Sequence, residues 1–599
     1  MYHKFSDLLQ AVKTQTRKAA KMAIFAAGAT TFGVVGLSAA ESGAEDRTKQ
    51  GRRGDDRPNV VMIVADDMGY SDIGSFGSEI STPNLDALAS QGMVFDNFRT
   101  GPTCSPSRSM FLTGTDNHLA GMGTMDYAIT DNQRGQPGYE AYLSDRVVTF
   151  AQLLQDEGYN TYMAGKWHLG EHSEDQFPSA HGFERTFTLL SGAAFHFSRD
   201  GWTPRKPIAP YAIDGEELPD NDPRFPDDFY STRTYTDKML EFIKEEQDED
   251  QPFFAYLAYT APHAPLQAPE DYIDKYLEAE LYEKGWDALR EERFERMKSM
   301  GMFPDYIEMS PRWDHVKAWE SLTEEEKRKE VRRMAVYAGM IDYLDESIGR
   351  FVQELKDMDE YDNTIFVFFS DNGADGEIQD QNGNPAYEKW LGGLGIDLND
   401  IDAIGTPQSF ITYIAGWAQV SATPHWGSKA SQSEGGIRGP FFVTYPGKVQ
   451  AGRTDAFASV LDIAPTILEY TGVEHPGDSY KGRPIAGLRG KSMAHLLAGH
   501  ADRLYGDDEP VFFELFGTMN RAVFMGDWKA LRLGDAPWGG DLRTDNPDVP
   551  WKLFNLAVDP TEQVNMADLY PRQLETMVEA YKDYESDVGI IYAPGFEPH

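Results

Sequence analysis

The 599-residue chain carries a single cysteine, Cys104. One thiol cannot close a disulfide within the molecule, so no covalent staple supports the fold, and the sulfur is either free or chemically altered. Basic residues are scarce too: 55 Lys and Arg stand against 97 Asp and Glu, a formal charge of −42. That balance disfavours nucleic acid and anionic membrane surfaces as partners. An anionic substrate must therefore be drawn in by a local positive site, against the field of the whole molecule. Beyond the first 40 residues no stretch is long and apolar enough to cross a bilayer, and neither internal repeats nor low-complexity tracts occur. What is present suits a large globular fold, with 41% hydrophobic and 12% aromatic residues. The length accommodates one large α/β domain and a smaller one.

The N-terminus reads as a targeting segment. Lys13, Arg17, Lys18 and Lys21 precede an apolar run from Met22 to Leu37, followed by Ser38-Ala39-Ala40. A basic flank, a short apolar core and small residues at its end describe a secretory signal over 1–40. The run is short and rich in Gly, Ala and Thr, so a retained anchor is the weaker reading. Residues 41–57 form a polar linker. The expectation is an exported protein, periplasmic or secreted, without stable membrane insertion.

From Pro58 the pattern is that of buried strands ending in polar residues. Asn59–Ala65 is continuously apolar and runs into Asp66-Asp67; Thr364–Ser370 does the same before Asp371-Asn372. Ligands of open α/β sheets collect beyond such carboxyl ends. Adjacent carboxylates repel, and holding them together is costly without a cation. Four oxygen donors without His or Cys favour Ca²⁺ or Mg²⁺ over zinc. A strand at 161–164 delivers Lys166 and His168, two apart and so directed the same way on extended backbone. Residues 252–260 form another core strand, leading to His263 between two prolines. Thr323 to Glu326 caps a long amphipathic helix with a core stripe from Met334 to Leu355. Residues 266 to about 330 read as a charged, mostly helical insertion, and 376–419 as a polar excursion on the pocket rim. From about 506, short alternating runs at 511–515, 521–525 and 528–533 suggest an antiparallel sheet, with a helix from Pro571 behind it.

The segment Gly101–Gly114, GPTCSPSRSMFLTG, contains the cysteine. Pro106 suits the first helical position and Ser105 the cap, which places Cys104 just outside a helix N-terminus. Free N–H groups there favour negative charge, and Arg108, one turn in, can steady an oxyanion. A buried, inert cysteine fits the pentapeptide equally well.

Cys104-Ser105-Pro106-Ser107-Arg108, continued by Ser109 and Thr113-Gly114, resembles the signature of the formylglycine-dependent (type I) sulfatases. Gly158–His168, GYNTYMAGKWH, resembles their second signature, and DDMGYSD at 66–72 their metal loop. The resemblance extends from Pro58 to the C-terminus and is weakest at 190–240 and 266–325. It implies an alkaline-phosphatase-like α/β fold: a large mixed, mostly parallel sheet sandwiched by helices over 58–505, then a small C-terminal α+β domain with an antiparallel sheet over 506–599. It implies that a separate maturase oxidises Cys104 to Cα-formylglycine, an aldehyde that hydrates to a geminal diol. It implies Ca²⁺, ahead of Mg²⁺, held by Asp66, Asp67, Asp371, Asn372 and the group at 104. Arg108 and Lys166 would fix diol and sulfate, His168 would act as base, and His263 and Lys429 would serve the leaving group; Arg438 reads as structural. The implied substrate is a small-molecule sulfate ester, an aryl sulfate first. A phosphonate monoester or phosphodiester hydrolase, and an inactive anion-binding homologue, are the alternatives.

Overall fold

The computed structural model describes residues 57–245, 251–376, 384–534 and 549–596. The signal segment and nearly all of the linker lie outside them, as does part of the 376–419 excursion. Ten strands form the main sheet: β1 (Asn59–Ala65), β2 (Met93–Phe95), β3 (Asn160–Lys166), β4 (Arg185–Leu189), β5 (Tyr211–Ile213), β6 (Glu216–Glu217), β7 (Phe253–Ala258), β8 (Thr364–Ser370), β9 (Phe441–Thr444) and β10 (Gly452–Thr454). Their spatial order is β10-β2-β9-β8-β1-β7-β3-β4-β5-β6. The five central strands, β8-β1-β7-β3-β4, are mutually parallel, and antiparallel pairings flank them. The architecture is mixed α/β and mostly parallel.

Burial of β1 on both faces explains its unbroken apolar run. Val61, Ile63 and Ala65 belong to one hydrophobic cluster with the helix Glu324–Asp357. Val60, Met62 and Val64 belong to a second, with Phe111 and Leu112 of the helix Cys104–Thr113. Successive residues of a strand point to opposite faces, so a strand between two helical layers has no position left for a polar residue. The stripe Met334, Tyr337, Ile341, Leu344, Ile348, Phe351 and Leu355 is buried throughout, and Thr323 with Glu326 forms the expected capping box.

Several segments differ from the sequence reading. β3 reaches Lys166, beyond the expected end at 164, because Trp167 N and His168 N prolong its ladder onto Leu189 O and Leu190 O. The helix at the cysteine begins at Cys104 itself, with Thr103 in extended conformation as its cap. Pro106 is thus the third helical residue; its missing N–H is one of the first four, which have no acceptor within the helix. The insertion after 266 holds helices at Glu270–Glu278 and Gly285–Ser299, followed by largely irregular chain to 318.

Near the C-terminus, strands Pro510–Glu514, Arg521–Met525, Trp528–Arg532 and Lys552–Asn555 form a four-stranded antiparallel sheet. One face packs through Val511, Phe513 and Phe524 into the second core cluster; the other takes Met577, Tyr581 and Tyr584 of the helix Pro571–Val588. A buried imidazole joins this sheet to the segment after the cysteine helix. His118 Nδ1 lies 2.9 Å from Asp116 Oδ1, Nε2 lies 3.0 Å from Glu514 Oε2, and Tyr584 Oη donates to Asp116 Oδ2 at 2.7 Å. Burial opposes a charge on the ring, but hydrogen bonds to Asp116 and Glu514 override it and push His118 up to about 10. The folded value exceeds the ordinary 6.5, so this contribution is complete below about pH 6.5 and fades as pH climbs toward 10. His118→Ala leaves two carboxylates buried without their cation and is expected to cost about 3–5 kcal/mol. In urea melts at pH 6 and pH 10, the gap between wild type and variant should shrink at the higher pH; a constant gap would refute the charged imidazole.

Candidate active site

Parallel register places the ends of four neighbouring strands on one edge of the sheet. Ala65 pairs with Ser370, Val64 with Ala258, and Ala258 with Gly165. The residues that follow, Asp66-Asp67, Asp371-Asn372, Thr260–His263 and Lys166–His168, therefore emerge side by side. Gly165 permits the closest approach: at φ +116° it lies so near β7 that an added Cβ would sit 1.9 Å from Ala258 O. The cysteine helix and the Lys429 segment close in from the side, where Lys429 N donates to Ala374 O and Ala430 N to Pro102 O.

Each carboxylate here faces a cation. Lys166 Nζ lies 2.6 Å from Asp66 Oδ2, and Lys429 Nζ 2.8 Å from Asp67 Oδ2. Arg108 directs Nε and Nη2 at Asp371 Oδ2, 2.9 and 2.7 Å away, and Nη1 at Lys166 O and Tyr256 Oη. Arg108 thus orients Asp371 and β3, a larger structural share than its expected oxyanion contact. Cys104 Sγ is 3.5 Å from Asp66 Oδ1, and His263 Nε2 is 3.5 Å from Asp67 Oδ2. All of the site residues named from sequence meet at this edge.

Burial governs their ionisation. It would raise Asp67, but Lys429, then His263 and Lys166, hold that carboxyl well below its usual range. Asp371 is pushed up to about 6, by burial first and Asp66 second. Burial drives the Cys104 thiol far above its ordinary value, so a thiolate does not form at neutral pH. Burial likewise lowers His263 to about 3, and burial, then the charges of Lys166 and Arg108, hold His168 well below its ordinary value. Both rings are neutral at pH 7. His263 Nδ1 is 2.6 Å from Ala264 O; a proton on that nitrogen leaves Nε2 as a lone pair facing the carboxylates. His168, at φ +56°, has left the strand alternation. Its Nδ1 is buried without a partner, and its ring is accommodated because residue 192 is glycine, where a Cβ would fall 2.5 Å from Cε1.

The oxygen donors of the site suit a hard cation. Ligand atoms of Asp66, Asp67, Cys104 and His263 all lie within 4.8 Å of one another. Asn372 Nδ2 donates to Asp67 Oδ1 and Gly373 O, which leaves Asn372 Oδ1 buried, unpartnered and available. Asp371 stands slightly apart, with Oδ2 turned to Arg108. Carboxylate and amide oxygens are the ligands Ca²⁺ and Mg²⁺ take.

The contacts that support the site escaped the sequence reading. Asp72 Oδ2 accepts from Gly69 N and Tyr337 Oη, and Asp72 Oδ1 from Arg293 and Ser421, clamping the loop that carries Asp66 and Asp67. Tyr337 belongs to the helix stripe read as core alone. Arg438 binds Glu434, Asp96 O and Asn97, as a structural residue would. His196 supports the His263 loop from within the 190–240 insertion; nothing in its local sequence singles it out.

The sulfatase family model matches residues 58–473. Over 547 residues the chain is 39% identical to a protein of Schizosaccharomyces pombe named as an uncharacterized sulfatase, covering 90% of this chain and 95% of that one. It is 39% identical over 451 residues to an arylsulfatase of Klebsiella aerogenes, covering 74% and 92%. The crystal structure of Ps i-CgsB in complex with k-i-k-neocarrahexaose matches with a TM-score of 0.60 at 25% identity, covering 88% of this chain and 92% of that one. With the family model spanning most of the chain and a 39% identical relative aligned over 90% of it, this protein belongs to the sulfatase family of sulfuric ester hydrolases.

Proposed function

We propose that the protein hydrolyses sulfate monoesters, aryl sulfates foremost, releasing inorganic sulfate and a phenol or alcohol. The observation that carries this reading is the meeting of Cys104, three carboxylates, two lysines and two neutral histidines at one edge of the sheet. The arylsulfatase relative supports the aryl preference.

The thiol itself is a poor nucleophile, because burial keeps it protonated. Residue 104 acts after oxidation to Cα-formylglycine by a separate maturase; the hydrated aldehyde supplies two hydroxyls on one carbon, one for attack and one for release of sulfate. Asp66, Asp67, Asp371 and Asn372 would hold Ca²⁺, which supplies Lewis acidity toward a sulfate oxygen. Lys166 and Lys429 are the local positive charges a molecule at −42 needs to gather an anion. Burial alone would strip Lys429 of its proton, but Asp67 and its neighbours keep it well above its ordinary value. It therefore stays an ammonium and stabilises the leaving oxygen by charge and hydrogen bonding. His168 has an unoccupied Nδ1 to take a proton from the group at 104, and His263 directs a lone pair toward the same space. The negative charge of a bound sulfate raises both imidazoles toward the range where they exchange protons. The basic flank, apolar run and small residues over 1–40 support export to the periplasm or beyond the cell.

Two substrates separate this reading from a phosphonate monoester hydrolase. Turnover of 4-nitrophenyl sulfate, as kcat/KM, is expected to exceed that of a phenyl phosphonate monoester by at least about a hundredfold, roughly 2.7 kcal/mol of transition-state preference. A reversed ratio refutes it. Peptide mass spectrometry of the mature protein should show residue 104 with oxygen in place of sulfur; an unaltered thiol points to the inactive homologue.

A further inference from the structure

The loop that carries His263 is pinned from outside the strand edge. His196 Nε2 lies 2.9 Å from His263 O and its Nδ1 2.7 Å from Ser231 Oγ. Burial lowers His196 to about 4, so the ring is neutral, its Nε2 donating to the carbonyl while Nδ1 accepts from the hydroxyl. Gln267 on the same loop accepts from His196 N at 2.8 Å and donates to Ser409 O at 2.9 Å. Leu266 N donates to Ile411 O, and Ala268 N to Gly405 O. These bonds lock three segments together, around 195–202, 263–268 and 405–411.

On those segments and on the helix Pro385–Gly393 stands a cluster of aromatic rings. Phe195 and Phe410 are buried, whereas Trp202 and Tyr387 stay partly exposed. Trp202 lies 5.0 Å from Phe410 between ring centroids, and Tyr387 lies 6.0 Å from Phe410. Trp202 also meets the catalytic neighbourhood directly: its ring is 5.7 Å from that of His263, at 74°. A cluster serving only as core buries its largest rings first, since they return most from leaving water. Here the phenylalanines are covered, while Trp202 and Trp390 both keep part of their surface in solvent. The wall begins at the histidine on the leaving-group side.

We infer that this wall is the leaving-group subsite and that Trp202 is the residue selecting a ring-bearing phenol or alcohol over a straight-chain one. The inference rests on the sulfatase reading above. A flat ring placed against an indole face keeps its shape on binding, whereas an alkyl chain loses rotamer freedom to cover the same area. Because Phe410 and His196 fix the wall relative to His263, a ring stacked there has its ester oxygen in one place.

The test compares 4-nitrophenyl sulfate with hexyl sulfate in wild type, Trp202→Ala, Trp202→Phe and Tyr387→Ala. Each variant is read as its ratio to wild type on the same ester, so differences in leaving-group reactivity cancel. Trp202→Ala is expected to raise KM for the aryl ester about tenfold, Tyr387→Ala about threefold, and Trp202→Phe to recover most of the loss. KM for hexyl sulfate should move less than about twofold, and kcat for either ester no more. Equal losses on both esters, or a fall confined to kcat, would show that Trp202 merely props His263 and overturn the assignment. If wild type turns over neither ester, the proposed aryl sulfate activity fails by itself. Calorimetric binding of 4-nitrophenol to wild type and Trp202→Ala then decides the subsite alone: about tenfold weakening supports it, unchanged affinity or no saturable binding refutes it.

Discussion

Replacing Cys104 by alanine is expected to lower kcat for 4-nitrophenyl sulfate about 100,000-fold, while leaving the fold intact. The residue is only 2% exposed and opens a helix that packs on the sheet through the second core cluster. Alanine fits that position and has high helix propensity, so a loss of turnover reports on chemistry. Serine makes the sharper variant. It offers one hydroxyl where a hydrated aldehyde offers two, so sulfate transferred to it has no second oxygen to drive its release. Cys104→Ser should give at most a single burst of phenol, with the sulfate retained on the peptide that bears residue 104 and no turnover afterwards. Steady turnover at the wild-type rate by the serine variant is the result the formylglycine reading cannot survive. A thiol mechanism is opposed by the site itself, where burial keeps the sulfur protonated despite the opposing charges of Lys166 and Lys429.

The strands were legible because burial on both faces leaves a continuous apolar signature. Asn59–Ala65 and Thr364–Ser370 have the bounds their composition suggests. The acidic pairs at their ends were legible for the same reason, since a polar break after a buried run marks the edge of the sheet. Helix starts were less so. Ser105-Pro106 carries a strong cap pattern, yet the helix begins earlier because Thr103 adopts extended backbone and proline is tolerated within the first turn. Long-range supports were not legible. His196 and Gln267 each act through partners tens to hundreds of residues away, and neither periodicity nor local chemistry marks such positions; Asp72 stands in the metal-loop motif, but its bonds to Tyr337 and Arg293 are equally remote. The aromatic wall joins the weakly matching segment at 190–240 to the excursion at 376–419 that reads as pocket rim, and only folding brings its rings together.

Removal of the divalent cation is expected to cost the protein both turnover and stability. Asp66, Asp67 and Asp371 are fully or almost fully buried, each paired with Lys166, Lys429 or Arg108. Buried pairs of this kind gain little over their desolvation cost, and Asn372 Oδ1 stays unsatisfied beside them. An oxygen-seeking cation relieves both defects. If it binds the folded state alone, Ca²⁺ at a hundred times its dissociation constant adds about 2.7 kcal/mol. A chelator should therefore lower the melting temperature by a few degrees, Ca²⁺ should restore it, and Mg²⁺ should restore it only at higher concentration. Asn372→Ala removes the free acceptor without disturbing an ion pair, and is expected to weaken Ca²⁺ binding at least tenfold by calorimetry, about 1.4 kcal/mol. That measurement needs no substrate and no matured residue 104. Identical melting curves with and without Ca²⁺, and no heat of binding, would mean that the lysines and Arg108 close the cluster unaided. The charge balance argues otherwise. Three carboxylates against Lys166, Lys429 and Arg108 sum to zero, which gives an anion no reason to enter a molecule at −42. A divalent ion turns the same site to a net positive charge, and KM for a sulfate ester should rise when that ion is withdrawn.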